Sequence, residues 1–187
     1  MRKVLGLLFA TSLLIPVGVI VASPAGSAAK GPTCKTLTAI GLFNPALPKI
    51  STAKNPPKVT SHVSSTGKIG GCTGIPGVTS ATTTDKYTYK GNCNTFAGLS
   101  TGAVTTPGPA SIKWNKGPAS TVTITTKVLT KPGVQPAIIQ LTTKITKGQF
   151  AGTQSVSKVK GTAAKGACIS APLGSFKLTG TGAAGFK

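Results

Sequence analysis

Very few side chains in this chain can handle protons. Asp85 is its only acidic side chain, His62 its only histidine, and it has no glutamate. With the many serines, these two supply the ingredients of a Ser/His/Asp triad, in which an acid holds the base and the base activates an exposed hydroxyl. No Gly-x-Ser-x-Gly elbow accompanies them. Alternation around His62 predicts an outward strand position for it, and Asp85 reads as a turn residue or a lysine's ion-pair partner. A two-carboxylate glycosidase is excluded because the second acid is missing. Calcium and magnesium sites lack their hard anionic oxygens, and no cysteine pair has the C-x-x-C spacing of zinc or redox sites. The expectation is a non-catalytic protein with no cofactor and no metal.

Positive charge is what the chain has in excess. Of its 21 lysines and arginines, Arg2 and Lys3 belong to an N-terminal leader, which leaves nineteen lysines, one aspartate and a formal charge of +18. Such a charge keeps a protein soluble and attracts polyanions. The lysines run from Lys30 to Lys187 without a block, unlike a disordered basic tail. Lys113, Lys127 and Lys144 fall on outward strand positions and, with Tyr87 and Tyr89, are the candidate binding surface. In Lys86-Tyr87-Thr88-Tyr89-Lys90 a strand would send both tyrosines to one face and both lysines to the other. That favours tyrosines packing at a sheet edge over a base-stacking strip. With no arginine after the leader, the forked donor of specific nucleic-acid recognition is missing.

The elements that must carry these residues are strands. Alternation is clear in Val122, Ile124, Thr126 and Val128, with Thr121, Thr123, Thr125 and Lys127 opposite. It repeats in Ile139, Leu141, Thr143 and Ile145, with Gln140, Thr142, Lys144 and Thr146 outward. Ile112 and Trp114 share a face, which places the single tryptophan in the core beside a disulfide rather than on a ligand. Turns are expected at Asn115-Lys116-Gly117-Pro118, Lys131-Pro132-Gly133 and Lys147-Gly148, and a long surface loop from Asn44 to Pro57. Strand centres near Thr36, Val63, Thr83, Tyr89, Val104, Ile112, Ile124, Leu141, Val156 and Phe176 predict an all-β fold: an antiparallel sandwich or barrel of about eight to ten strands.

Met1-Arg2-Lys3, the apolar run Val4 to Ala22 and the small residues through Ala29 form the three parts of a secretory signal peptide. Cleavage after Ala28 or Ala29 is favoured over Ala22, and an uncleaved membrane anchor is the alternative. Residues 30–187 then form a single domain, 158 residues long. Cys34, Cys72, Cys93 and Cys168 all remain, an even count that reads as two disulfides in an exported chain. Four cysteines allow three pairings. If Cys34–Ile40 and Val63–Cys72 run antiparallel, Cys34 faces Cys72, which leaves Cys93 for Cys168.

Gly71-Cys72-Thr73-Gly74, Asn92-Cys93, Ile112-Lys113-Trp114-Asn115, Ser120-Thr121-Val122 and Gly148-Gln149-Phe150-Ala151-Gly152 resemble positions in a group of small exported actinobacterial proteins of unassigned function. The resemblance implies secretion and an all-β, four-cysteine fold, and transfers no catalytic residue. Taken together, the sequence predicts a secreted monomer, extracellular or held at the cell wall, that associates electrostatically with anionic cell-envelope or extracellular polymers. The alternative is a β-barrel carrying a small apolar ligand, and a hydrolase using His62 and Asp85 ranks below both.

Overall fold

The computed structural model describes residues 30–97, 104–105, 108–130, 136–166 and 168–187. The expected leader and the expected Lys131-Pro132-Gly133 turn lie outside the described residues. In chain order the elements are β1 (Thr33–Leu47), β2 (Val59–Gly70), β3 (Ser80–Gly91), the short helix α1 (Cys93–Ala97), β4 (Val104–Thr105), β5 (Ala110–Trp114), β6 (Ser120–Val128), β7 (Ala137–Gly148), β8 (Gln154–Lys165) and β9 (Leu173–Gly185).

Every ladder is antiparallel. Strand order β6-β5-β3-β2-β1-β9-β8-β7 is closed by pairing of β7 back onto β6, which makes an eight-stranded barrel. The ninth strand, β4, extends the β5 side of β6 through Val104↔Thr126 and Thr105↔Thr125. The fold is thus the barrel form of the expected all-β class. Closure leaves no long unpaired edge to template aggregation, which matters for a chain built of Thr, Val and Ile.

The expected centres at Thr83 and Tyr89 belong to one strand, β3, because alternation continues without a break through Asp85. The predicted loop begins later than Asn44, since β1 runs on to Leu47. Cys93 N–H donates to Pro48 O (2.9 Å) and Asn92 Nδ2 to Pro57 O (2.8 Å), so both ends of the connection are tied to the start of α1.

Alternation sorts side chains cleanly. Facing inward are Leu37, Ala39, Gly41 and Phe43 of β1, opposite Ile69, Gly67, Ser65 and Val63 of β2. Ala81, Thr83, Asp85, Tyr87 and Tyr89 of β3 continue this inner face. Ala110, Ile112 and Trp114 of β5 follow, and then Val122 and Ile145. Outward positions are mostly Thr, Ser and Lys, not the apolar band that a lipid-facing barrel carries.

The two ends of the barrel are packed. At one end Ile112, Trp114, Val122, Ile145, Val78 and Phe186 cluster with the Cys34–Cys72 disulfide. Trp114 lies edge-on to Phe150 and Phe186, at 5.1 and 5.7 Å between ring centres, and its Nε1 donates to Ser120 Oγ at 2.9 Å. The tryptophan is therefore a core residue beside a disulfide, as its alternation with Ile112 predicts. At the other end Phe43, Leu47, Val63 and Leu173 pack with Cys93, and Phe96 of α1 stands edge-on to Phe43 at 5.4 Å. Cys93–Cys168 joins α1 to the β8–β9 connection there.

Both pairings are the ones the register argument favours. The β1–β2 ladder, extended two residues beyond Thr36↔Gly70, sets Cys34 opposite Cys72. Chain entropy assigns each bridge roughly 4 kcal/mol of stabilisation, given separations of 38 and 75 residues.

Candidate functional site

Charge is segregated by the barrel wall. Every lysine whose exposure is described lies on the outside, and the only acidic side chain points inward. The outer face therefore has no carboxylate side chain to pair with its lysines. Long lysine stems lie along the sheet while their ammonium groups stay in water, so the exterior is a cationic shell over a threonine lattice.

The strand register organises part of that shell into a row. Lys160 stands opposite Thr179, which stands opposite Thr38, and Thr38 stands opposite Lys68. Lys68 faces Thr82, and Thr82 faces Lys113. The row crosses β8, β9, β1, β2, β3 and β5 at a single level. With about 4.8 Å between neighbouring strands, Lys68 and Lys113 are roughly 10 Å apart at the backbone and Lys160 and Lys68 roughly 14 Å. Between Lys68 and Lys113 runs an open groove of about 530 Å³ lined by Thr36, Thr38, Thr82, Ser80 and Asn115. Asn115 is fixed there because its Oδ1 accepts from the N–H groups of Thr79 and Ser80, at 2.9 and 3.0 Å.

Of the residues predicted for a binding surface, Lys113 belongs to this groove. Lys127 and Lys144 are also exposed, but on β6 and β7, where Lys127 pairs with Gln140 and Lys144 with Thr123. Tyr87 and Tyr89 face inward, and Tyr89 packs at 5.9 Å, edge-on, against Phe96. The five therefore do not form one surface, because strand alternation sends the tyrosines and the lysines to opposite sides of the wall. Lys68 and Lys160 were missed. Their sequence neighbourhoods resemble those of any other outward lysine, and only the register aligns them with Lys113.

Asp85 departs from its expected role. It is not a turn residue, and no lysine pairs with it among the described residues. It sits within β3, opposite Ser65 on β2 and Ala110 on β5. Ser65 Oγ donates to Asp85 Oδ1. No other partner of the carboxylate occurs among the described residues, and Oδ2 is not sealed from solvent. Burial pushes the Asp85 carboxyl above its ordinary value of 3.8. Tyr87, two residues on along the same face, is held above the usual phenol range by burial first, and then by the charges of Asp85 and Tyr89.

His62 is exposed on the outer face of β2, opposite Thr88. The sheet therefore stands between His62 and Asp85, and the two do not form the base–acid pair of a triad.

Between the packed ends, inward side chains are only half-buried: Leu37, Ala39, Ser65, Thr83, Asp85, Ile124, Thr126, Ile139, Thr143 and Leu178. In a closed barrel, partial accessibility of inward groups means that side chains do not fill the lumen. An eight-stranded barrel is wide enough to hold one small ligand when its lining residues are small. Here Gly41, Gly67, Gly161 and Gly180 occupy inward positions. All four accommodate a neighbour: a Cβ at Gly41 would lie 2.2 Å from the Phe176 ring, one at Gly67 2.6 Å from Thr83 Oγ1, one at Gly161 2.6 Å from Ile139 Cδ1 and one at Gly180 2.8 Å from Val159 Cγ1.

No protein-family model, no curated protein and no solved structure matches this chain.

Proposed function

We propose that this chain is a secreted, non-catalytic, strongly cationic β-barrel that holds itself to anionic cell-envelope or extracellular polymers. One observation carries this reading: the exterior lysines have no carboxylate side chain beside them, because the one acid of the chain is turned into the barrel. Ammonium groups that are neither paired nor buried are free to contact polymer anions. Adhesion of this kind requires a rigid scaffold, supplied here by the closed barrel and two disulfides, and it requires neither a nucleophile nor a metal. The leader and the resemblance to small exported proteins support the assignment outside the cytoplasm.

The test is retention on a heparin-type resin and on isolated anionic cell walls at rising salt. Contacts between exposed charges are screened over about 8 Å at physiological ionic strength, so binding falls steeply from low to high salt. Salt-independent retention overturns the proposal.

A second reading is favoured by the half-buried lumen. The barrel would carry a small apolar ligand, with Ile124, Ile139, Leu141 and Leu178 forming an apolar inner wall. Native mass spectrometry of the purified protein tests this reading, and a ligand-free spectrum after incubation with hydrophobic small molecules contradicts it.

A further inference from the structure

We propose that the lumen binds a small amphiphile bearing one protonated amine, with the ammonium seated on the Asp85 carboxylate beside Ser65 and the apolar body against the β6–β7 inner wall. This inference rests on the carrier reading and names the chemistry of its ligand.

Three observations point to it. The first is charge complementarity. In a molecule with nineteen lysines after the leader, the one carboxylate side chain has been placed where no described lysine reaches it. A lumen-facing carboxylate without a counter-ion is costly to keep, and a ligand cation removes that cost. The second is the state of the carboxylate itself. Ser65 occupies Oδ1, while Oδ2 has no described partner and is open to the lumen. An ammonium has three donors. Asp85 Oδ2 can take one, and the hydroxyls of Ser65 and Thr83 stand on the same inner face at neighbouring positions. The Tyr87 ring follows on that face, half-buried against the Phe43 and Val63 cluster. The third is the mixed character of the lining. Ile124, Ile139 and Leu141 are inward on β6 and β7, so a polar head and an apolar tail each have a matching wall.

A metal ion is the poorer occupant. One carboxylate and a few hydroxyls fall short of the six to eight oxygens calcium requires, and no group of three His, Cys, Asp or Glu side chains occurs among the described residues. A neutral amphiphile would leave the carboxylate uncompensated.

The experiment compares octylamine with 1-octanol, chain-matched probes that differ in the head group, by calorimetry on the purified protein and on Asp85→Asn. The expected result is that octylamine binds about tenfold or more tightly than octanol to the wild type, as a charge-assisted contact allows. In D85N that preference disappears while octanol affinity is unchanged. Equal affinity for both probes in the wild type overturns the amine site and leaves the carrier reading standing. Absence of binding by either probe overturns both.

A second measurement covers the case in which D85N does not fold. Asp85 is the only aspartate, so selective ¹³Cγ-aspartate labelling gives a single side-chain carboxyl resonance. Octylamine should move its titration to lower pH and octanol should not. A titration unmoved by octylamine overturns the proposal.

Discussion

Ser65 and Asp85 stand directly opposite one another on the β2–β3 ladder, and the Ser65 hydroxyl donates to the Asp85 carboxylate inside the barrel. That hydrogen bond favours the charged form, but burial outweighs it and the carboxyl is pushed above 3.8. The folded state therefore holds the proton more tightly than the unfolded chain does. The stabilisation from a neutral Asp85 is fully present below pH 3.8 and is lost as pH rises through the folded value. This is opposite to the usual carboxylate, and the chain has no other acidic side chain to reverse it. Asp85→Asn is expected to melt above the wild type at pH 7, with the difference closing below about pH 4. Thermal unfolding of both proteins between pH 3 and 8 checks this, and a wild type more stable than D85N at neutral pH contradicts it.

Much of this arrangement was legible in the residues, and the part that was not has a physical reason. Alternation in Val122–Val128 and Ile139–Ile145 gave the inner and outer faces of β6 and β7, and Ile112 with Trp114 gave the core face of β5. An antiparallel β1–β2 pair across the proline-rich stretch placed Cys34 opposite Cys72, and the observed register does so. Closure was not legible, because a strand's own residues do not state which strand lies beyond its neighbour, and the β6–β7 and β1–β9 ladders decide barrel against sandwich. Asp85 was misread because a carboxylate in a Thr/Lys-rich stretch suggests a solvated position. The period that groups Tyr87 with Tyr89 carries Asp85 to the same face, so the signal was present but was overruled by composition. The lysine row was invisible for a different reason: it is a property of six strands in register.

Ser61 offers a test of the packed end. Its side chain is fully buried beneath the β2–β3 sheet, and its hydroxyl has no hydrogen-bond partner among the described residues. Leaving a buried hydroxyl unsatisfied costs about 1 to 3 kcal/mol. Ser61→Ala removes that group with little change in volume and is expected to stabilise the fold by about 1 kcal/mol. Denaturant unfolding followed by Trp114 emission measures the change, and a loss of stability would show that the hydroxyl is satisfied in solution.

The disulfides close loops of 38 and 75 residues. Loop entropy grows only with the logarithm of length, so the longer loop is worth roughly 0.6 kcal/mol more than the shorter. Replacing Cys93 and Cys168 together by alanine is expected to destabilise by about 4 to 5 kcal/mol, and replacing Cys34 and Cys72 by about 4 kcal/mol. Near-equal losses of unfolding free energy, with steeper denaturant slopes as the uncrosslinked denatured chain expands, fit this account. A far larger loss at Cys93–Cys168 would assign the main role to packing around the fully buried Cys93 rather than to the unfolded chain.

The lysine row separates patterned binding from net charge. Lys68, Lys113 and Lys160 lie at one level of the barrel across β8 to β5, whereas Lys54 and Lys58 sit between β1 and β2, and Lys187 at the C-terminus. Changing either set of three to glutamine lowers the formal charge equally. All six are exposed, so neither set opens a cavity, and the stability cost is within about 0.5 kcal/mol per site. If only the mean field of the molecule matters, the two triple variants elute from an anionic resin at the same salt. A stiff polyanion that lies along the groove between Lys68 and Lys113 meets the row lysines together, on a rigid sheet that has already fixed their spacing. Loss of the row then removes several simultaneous contacts, while loss of the scattered set removes contacts that the polymer rarely makes at once. The expected outcome is a lower elution salt and a shallower salt dependence for K68Q/K113Q/K160Q than for K54Q/K58Q/K187Q. Identical elution of the two would assign the adhesion to net charge and remove the row from the binding surface.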